Sequence, residues 1–176
     1  VVRDTLFDTQ PPTFTGFLTW RGLVEADDVP GLDVVPHFAG YPSEGRMFAR
    51  YPLRRFRQIN WVANAYQPDA TGEESWNDWT DVSEVLEHMG DYHPEVQRII
   101  KASPGGRCLR WALHSRQPLD SWTAGRVVLL GDAAHPMTPF YGMGAGMAFE
   151  DAAVLARCFE ADTGDWQAAF ARYEKA

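Results

Sequence analysis

The sequence predicts an α/β (α+β) chain in which a mostly antiparallel sheet precedes the last strand and the helices of a second unit. Up to about residue 115, segments with the two-residue alternation of β-strands dominate, interrupted by a helical stretch at about 81–102. From residue 126 the pattern changes to a four-residue apolar run, a glycine loop and a helical repeat, which is typical of an α/β layer. We therefore predict two domains, 1–115 and 116–176.

Composition and charge restrict the classes of function. Apolar residues make up 45% of the 176 residues and aromatic residues 13%, which indicates a packed globular chain. A net charge of −8 argues against a nucleic-acid partner, because such surfaces are basic. No apolar run approaches the length of a membrane span and no signal peptide opens the chain, so we expect a cytoplasmic location without a membrane partner. Cys108 and Cys158 lie far apart without ligand spacing, so no metal site is expected.

The first part of the chain contains the strands of the predicted sheet. Residues 13–24 are rich in β-branched and aromatic residues, and 46–53 and 56–66 read as a hairpin that turns at Arg54 and Arg55. Within the second arm, Gln58, Asn60 and Asn64 alternate with a face made of Ile59, Trp61, Ala63 and Ala65. The Gly- and Pro-rich stretch 27–45 and the polar stretch 67–80 are predicted as connections, with a short strand near Val34.

Capping residues locate the predicted helices. Asp81 with Glu84 forms a capping-box pattern before a helix that ends at Gly90, and Pro94 begins a second helix that stops near residue 103. A strand over 107–114 follows. Asp165 is the expected cap of a last amphipathic helix, which runs to the final residue without a stop signal. With no initiator Met at the start, we expect the chain to be part of something longer.

Residues 126–159 combine the features from which a ligand site is predicted. Asp132 follows the apolar run Val127–Leu130, where a carboxylate is placed to accept hydrogen bonds from ligand hydroxyls. The alternative is that it caps its own turn. Glycines at 142, 144 and 146 open a helix whose free N–H groups favour negative charge, or else they serve tight packing of the helix.

Other residues of this stretch receive simpler interpretations. His135 has neither a partner nucleophile nor a second histidine at metal spacing, so a turn or packing role is favoured. Glu150 and Asp151 suit the early turns of the helix through its dipole alone. The buried face of this helix is predicted to consist of Ala148, Ala152, Leu155 and Phe159, and Cys158 is expected to be a buried free thiol.

The run GDAAHPMTPFYGMGAGMAFEDAAVLA (131–156) resembles the second flavin-binding motif of the FAD-dependent aromatic hydroxylases, the single-component flavoprotein monooxygenases. The branch that contains salicylate and 6-hydroxynicotinate hydroxylases is the most similar. Upstream segments carry the resemblance over nearly the whole chain: FTGFLTWRGLV (14–24), ARYPLR (49–54), INWVA (59–63) and RWALHSRQPLDSW (110–122).

The resemblance implies a role for each matching position. Asp132, which follows Gly131, would bind the ribityl chain of FAD, and the loop at Pro139 would pass beside the reacting edge of the flavin. Near the pyrimidine end of the ring would lie Gly142, Met143, Gly144, Ala145 and Gly146. The sheet domain would hold the aromatic substrate, with Tyr51 lining the ring or polarising a hydroxyl; for Tyr51 the alternative is packing in the core. Arg50, Arg54, Arg55 and Arg57 would attract a carboxylate, or simply form a solvated hairpin tip.

The implied reaction consumes NADH or NADPH and O2 to hydroxylate a small phenolic or aromatic-acid substrate. The chain departs from the family in lacking the N-terminal Rossmann GxGxxG that grips the ADP half of FAD, so we expect that segment to be a missing part of the same protein. Two alternatives remain open. One is a catalytically incomplete fragment, and the other is a related FAD oxidoreductase that is not a hydroxylase.

Overall fold

The larger unit of the chain contains a six-stranded sheet. The computed structural model describes residues 2–7, 10–32, 38–70, 78–161 and 164–176. Two units are present, Phe14–Leu113 and the combination of Val1–Thr13 with His114–Ala176. The sequence grouped residues 1–13 with the sheet, whereas the structure groups them with the C-terminal unit. The strand near Val34 lies outside the described residues.

The sheet has the strand order β2-β3-β4-β1-β6-β5. Its members are β1 (Thr13–Glu25), β2 (Ala39–Ser43), β3 (Arg46–Leu53), β4 (Gln58–Tyr66), β5 (Asp78–Asp81) and β6 (Arg107–Ser115). The pairs β1–β4, β2–β3, β3–β4 and β5–β6 are antiparallel. The predicted fold class, a mainly antiparallel sheet in a mixed α/β chain, is thereby confirmed.

Two strands of this sheet occupy segments that the sequence predicted as connections. Strand β2 contains Gly40 and Pro42 and lies at the edge of the sheet, where β3 is its only partner among the described residues. An edge strand tolerates proline because one side of its backbone needs no ladder partner. Strand β5 is only four residues long and forms the opposite edge. Both predictions were wrong because edge strands lack the apolar alternation that reveals a central strand.

The core of this unit lies between the sheet and helices α2 (Val82–Met89) and α3 (Pro94–Lys101). Trp20, Phe48 and Trp61 are fully buried there. Gly22 lies opposite Trp61 in the β1–β4 register, and a Cβ at residue 22 would stand 2.5 Å from the indole Nε1 of Trp61. The predicted cap of α2 is confirmed, since Asp81 accepts a hydrogen bond from the Ser83 N–H at 2.8 Å.

The second unit contains α1 (Val2–Leu6), a two-stranded ribbon of β7 (Thr123–Ala124) and β8 (Val127–Val128), and helices α4 (Gly144–Ala161) and α5 (Trp166–Tyr173). The sequence predicted a fully buried strand over Val127–Leu130, but only its first two residues pair, and Leu130 is 38% exposed. An apolar run becomes a fully buried strand only when it is flanked on both sides, and β7 is its only neighbour among the described residues.

The predicted buried face of helix α4 is right at Ala148 and Leu155, which are partly buried, and wrong at Ala152 and Phe159. Asp151 and Cys158 are its buried residues, which confirms the buried thiol, while Ala152 is exposed and Phe159 is 41% exposed. Cys158 packs with Ala169 and Tyr173 of α5. Asp165 caps α5 as predicted, by accepting hydrogen bonds from the N–H groups of residues 167 and 168. In the described parts of the chain no helix is long and apolar enough to cross a bilayer.

A buried ion pair attaches α3 to the sheet. Arg50 Nε and the Tyr41 hydroxyl both donate to Glu95 Oε1 at 2.7 Å. Burial alone raises the pKa of the Glu95 carboxyl, but the hydrogen bonds from Tyr41 and Arg50 outweigh it and hold this pKa below its ordinary value. The stability that Glu95 contributes is therefore present above its unfolded-state pKa and is lost as the pH falls through the folded value.

We predict that Glu95→Gln lowers the free energy of unfolding by about 2 kcal/mol at pH 7, because a charge-assisted hydrogen bond to a buried guanidinium becomes neutral. The deficit should narrow below about pH 4, where the wild-type carboxyl also becomes protonated. Urea unfolding at pH 7 and below about pH 4 measures this loss of stability. The matched control is Asp91→Asn, which removes the exposed Arg46–Asp91 pair and should have a much smaller effect. Equal losses in the two variants, or a deficit that does not change with pH, would contradict this account.

Candidate functional site

The turn after the two-stranded ribbon depends on Gly131. Its φ of +55° is a left-handed conformation, and a Cβ at this position would stand 3.0 Å from the Ala148 Cβ. The Gly131 carbonyl accepts hydrogen bonds from the N–H groups of Ala134 and His135, both at 2.9 Å. Backbone groups therefore close this turn.

Asp132 occupies the exposed middle of the same turn. Within the described residues its carboxylate has no hydrogen-bond or ion-pair partner, so the structure gives no support to the alternative that it caps its own turn. One carboxylate oxygen lies 3.7 Å from the point where a Cβ of Gly144 would stand, which puts Asp132 beside the beginning of α4. A carboxylate that faces solvent beside a helix N-terminus is available to a ligand.

The loop between this turn and α4 is shaped by Pro139 and Gly142. Pro139 begins a single 3₁₀ turn, and the Gly142 N–H closes it by donating to the Pro139 carbonyl at 3.0 Å. Gly142 has a φ of +64°, the left-handed region that favours glycine. Pro139 is exposed, as are Tyr141 (91%) and Met143 (51%). The loop thus presents apolar side chains and a rigid turn on the surface of this unit.

The first turn of α4 contains Gly144, Ala145 and Gly146. An α-helix leaves the N–H groups of its first turn without intrahelical partners, and its dipole places partial positive charge there. A Cβ added at Gly142 or Gly146 would meet nothing within 4 Å. These two glycines therefore do not serve close packing within the chain, and they leave the backbone of the loop and of the helix start open to a ligand.

A buried polar cluster beneath the turn was not predicted from the sequence. Asp151 Oδ2 accepts the Gly131 N–H at 2.7 Å and lies 2.6 Å from His135 Nε2. The ring of Trp122 lies 5.1 Å from that of His135 and 5.8 Å from that of Tyr173. Burial, followed by the charge of Asp151, raises the pKa of Tyr173 to about 12. The packing of Trp122 on His135 agrees with the turn or packing role predicted for this residue, and the structure adds its pairing with Asp151. His135 and Asp151 are sixteen residues apart, and no local sequence pattern links residues at that separation.

Arg3 supports the same turn from the other end of the chain. It is buried, and its guanidinium donates to the carbonyls of Ala133, Ala134 and Gln117, each at 3.0 Å. Burial is the main cause that lowers the pKa of Arg3, and the neighbouring Arg116 acts in the same direction. No local sequence signal links residue 3 with residues 133 and 134, so this contact also escaped the sequence analysis.

The predicted substrate residue Tyr51 lies in the other unit, on the sheet face opposite α2 and α3. It is 39% exposed and pairs with Asn60 in the β3–β4 register, so it is not packed in the core. Asn60 is only 5% exposed, yet its Nδ2 has no hydrogen-bond partner among the described residues. Arg21 lies on this face with its guanidinium 5.2 Å from the Trp111 ring. We refer to Arg21, Tyr51 and Asn60 as the polar patch.

The other arginines considered for substrate binding have different surroundings. Arg50 is directed to the core side of the sheet, where it pairs with Glu95. The exposed residues Arg54, Arg55 and Arg57 lie in the turn of the hairpin, and the first two have positive φ. These three match the solvated hairpin tip that the sequence suggested as the alternative.

Comparison with known proteins identifies the family of this chain. Residues 12–167 match the family described as FAD binding domain. The chain belongs to this family. It is 34% identical over 176 residues to 6-hydroxynicotinate 3-monooxygenase of Bordetella bronchiseptica, and this match covers 98% of the chain and 45% of the relative. The resemblance to FAD-dependent aromatic hydroxylases inferred from the sequence is confirmed.

Two solved members of the family have the same fold. A salicylate hydroxylase in complex with its substrate superposes with a TM-score of 0.80 at 27% identity, over 99% of this chain and 47% of that one. HpxO of Klebsiella pneumoniae, solved with FAD and uric acid, gives a TM-score of 0.76 at 29% identity, over 99% of this chain and 43% of that one. The chain therefore spans about half the length of the relatives that it matches.

We predict that Gly131→Ala is more destabilising than Gly125→Ala. Both glycines have nearly the same positive φ, +55° and +57°, so the backbone strain of an alanine is matched. Only at residue 131 does the new Cβ meet a neighbour, and this overpacking should add about 1–3 kcal/mol. Urea unfolding of the two variants measures the difference. Equal losses would mean that the contact with Ala148 relaxes at no cost.

Proposed function

We propose that this chain is the part of an FAD-dependent monooxygenase that contacts the flavin ring and the substrate, and that the enzyme uses NADH or NADPH and O2 to hydroxylate a small aromatic substrate. Family membership supports the cofactor. The names of the relatives, a 6-hydroxynicotinate monooxygenase and a salicylate hydroxylase, support the reaction and the substrate class. The same names favour a hydroxylase over another type of FAD oxidoreductase, and they give the incomplete-fragment hypothesis no advantage.

The observation that carries the proposal is the carboxylate of Asp132, which has no partner among the described residues and lies beside an open, glycine-rich helix start. A flavin has a hydroxylated ribityl chain, which needs hydrogen-bond acceptors, and a ring whose pyrimidine end becomes anionic on reduction. Asp132 supplies the acceptor, and the N–H groups of Gly144, Ala145 and Gly146 at the positive end of α4 suit the developing charge. Open space at Gly142 and Gly146 lets a flat ring approach the backbone. The residues present therefore fit the cofactor.

When bound, FAD supplies the redox chemistry, so the chain's residues have to bind, orient and exclude water. Asp132 holds the ribityl chain, and Gly131 shapes the turn that carries it, since the N–H and the carbonyl of Gly131 are already engaged within the chain. Pro139 fixes the loop beside the reacting edge, where its rigid ring keeps the carbonyl in place. Met143, half exposed between Gly142 and Gly144, adds apolar cover.

The polar patch is the proposed substrate side of the sheet. Asn60 Nδ2 is a buried donor without a partner among the residues that the structure describes, which is costly for the free protein and is compensated when a substrate oxygen accepts from it. The Tyr51 ring stands opposite Asn60 and offers a hydroxyl, and Arg21 adds a positive charge on the same face. A donor, an aromatic ring and a cation together fit a phenolic or aromatic-acid substrate. The division of the chain into a substrate domain and an FAD-binding portion, and the cytoplasmic location, stay predictions.

We predict that Asp132→Ala in the full natural protein weakens FAD binding by about tenfold or more, because hydrogen bonds to a charged acceptor are lost. Flavin content after purification and titration of the apoprotein with FAD measure the effect. Glu160→Ala, which removes another exposed carboxylate from the same unit, should retain wild-type affinity. Wild-type flavin content in Asp132→Ala would refute the assignment of Asp132.

We predict that Asn60→Ala raises KM for the aromatic substrate about tenfold while changing the free energy of unfolding by less than about 1 kcal/mol, since the Nδ2 group that it removes has no partner in the described part of the chain. Asn64→Ala is the matched control on the same strand. Thr19 Oγ1 donates to Asn64 Oδ1 at 2.6 Å in the buried interior, so this variant should lose about 1–3 kcal/mol of stability with a smaller change in KM. The opposite pattern, stability lost at Asn60 with KM unchanged, would exclude Asn60 from substrate binding.

A further inference from the structure

Two adjacent acidic residues of α4 have different surroundings. Glu150 is exposed and has no partner among the described residues, whereas Asp151 is 8% exposed. Both come at least six residues after the start of the helix at Gly144, and the effect of the helix dipole falls off within the first turn. The helix dipole, which was the reason inferred from the sequence for both acidic residues, is too weak at these positions. It does not explain why Asp151 is buried.

The contacts of Asp151 identify what it holds. Its Oδ2 accepts from the Gly131 N–H at 2.7 Å, and Gly131 is the residue directly before Asp132. His135, which follows the turn, donates from Nε2 to the same oxygen at 2.6 Å. One oxygen of α4 thus holds the two ends of the turn that carries Asp132.

Neighbouring side chains restrict the movement of Asp151 and His135. Trp122 packs on His135, and the Tyr173 hydroxyl donates to the Leu129 carbonyl at 3.3 Å, just before the turn. Burial of Asp151 makes its hydrogen bonds stronger than bonds in water, and a buried carboxylate has a high cost if its donors are removed. The turn is therefore fixed to α4 by an interaction that has few alternative geometries.

We propose that Asp151 is a positioning residue for the cofactor: it fixes the carboxylate of Asp132 relative to the N-terminus of α4, so that both groups contact one flavin without further ordering. The inference rests on the proposed function, because the ligand concerned is FAD. Its physical basis is preorganisation, since a turn that is already held in place loses less conformational freedom on binding. Asp151 itself touches neither cofactor nor substrate in this role.

The first test compares Asp151→Ala with Glu150→Ala in the full natural protein. The two variants remove the same charge from neighbouring positions of one helix, and only the first removes the hydrogen bonds to the turn. Titration of each apoprotein with FAD should show affinity reduced by about tenfold or more for Asp151→Ala and within about twofold of wild type for Glu150→Ala. Equal affinities in the two variants would overturn the proposal.

A double-mutant cycle with Asp132→Ala separates positioning from general destabilisation. If Asp151 acts through Asp132, the double variant should bind FAD no more than about twofold more weakly than Asp132→Ala alone. A merely structural role would instead multiply the two losses, and that result would refute the positioning role.

Asp151→Asn keeps the experiment decisive if Asp151→Ala does not fold. It preserves the size of the side chain and one acceptor oxygen, but it weakens two charge-assisted hydrogen bonds. FAD affinity should fall about threefold or more, and this loss should disappear in the Asp132→Ala background. Affinity equal to wild type in a folded Asp151→Asn would overturn the proposal. Wild-type protein that binds no FAD would refute the proposed function itself, whereas FAD binding unaffected by Asp151→Ala would refute only the positioning role.

Discussion

The hydrogen bond from the Gly131 N–H to Asp151 Oδ2 is the constraint on which the candidate cofactor site depends. It joins the turn that carries Asp132 to the helix whose N-terminus lies beside that carboxylate. Gly131 has a positive φ, and the absence of a Cβ lets Ala148 approach. Arg3 binds the carbonyls of the same turn from a different segment. The backbone conformation of Gly131, the buried carboxylate of Asp151 and the buried guanidinium of Arg3 thus act together on one short stretch of chain.

Strand β4 of the sheet unit packs the core with one face and carries polar side chains on the other. In β4, Ile59, Trp61 and Ala63 are buried against the helices, while Asn60 and Asn64 lie on the opposite face. Asn64 accepts a hydrogen bond from Thr19, but within the described ranges Asn60 Nδ2 has no partner. A buried, unsatisfied amide next to an exposed tyrosine is unfavourable for stability alone, so a binding role gives it a physical reason.

Much of the architecture followed from local pattern. The central strands, the hairpin at Arg54, the caps at Asp81 and Asp165 and the helix after Gly142 were all predicted near their observed positions. The caps and the hairpin depend on interactions between residues close in sequence. The central strands show the alternation of apolar and polar residues that two different sheet faces require. The edge strands β2 and β5 escaped prediction because one side of an edge strand needs neither apolar residues nor hydrogen-bond partners. The predicted buried face of α4 was wrong at Ala152 and Phe159 because it was inferred from apolar residues alone, whereas an acid, Asp151, occupies a buried position of the helix.

The sequence by itself identified the family and the candidate positions for the cofactor, since the glycine spacing and Asp132 lie within one continuous segment. Only the tertiary structure decided which polar residues support that segment. Asp151, His135, Tyr173 and Arg3 are separated from the turn or from one another by up to about 130 residues, and their pairing depends on burial and distance. A local pattern records the conformation of its own backbone. It carries no information about which distant side chain will satisfy a buried N–H or carbonyl, and that choice is made when the chain packs.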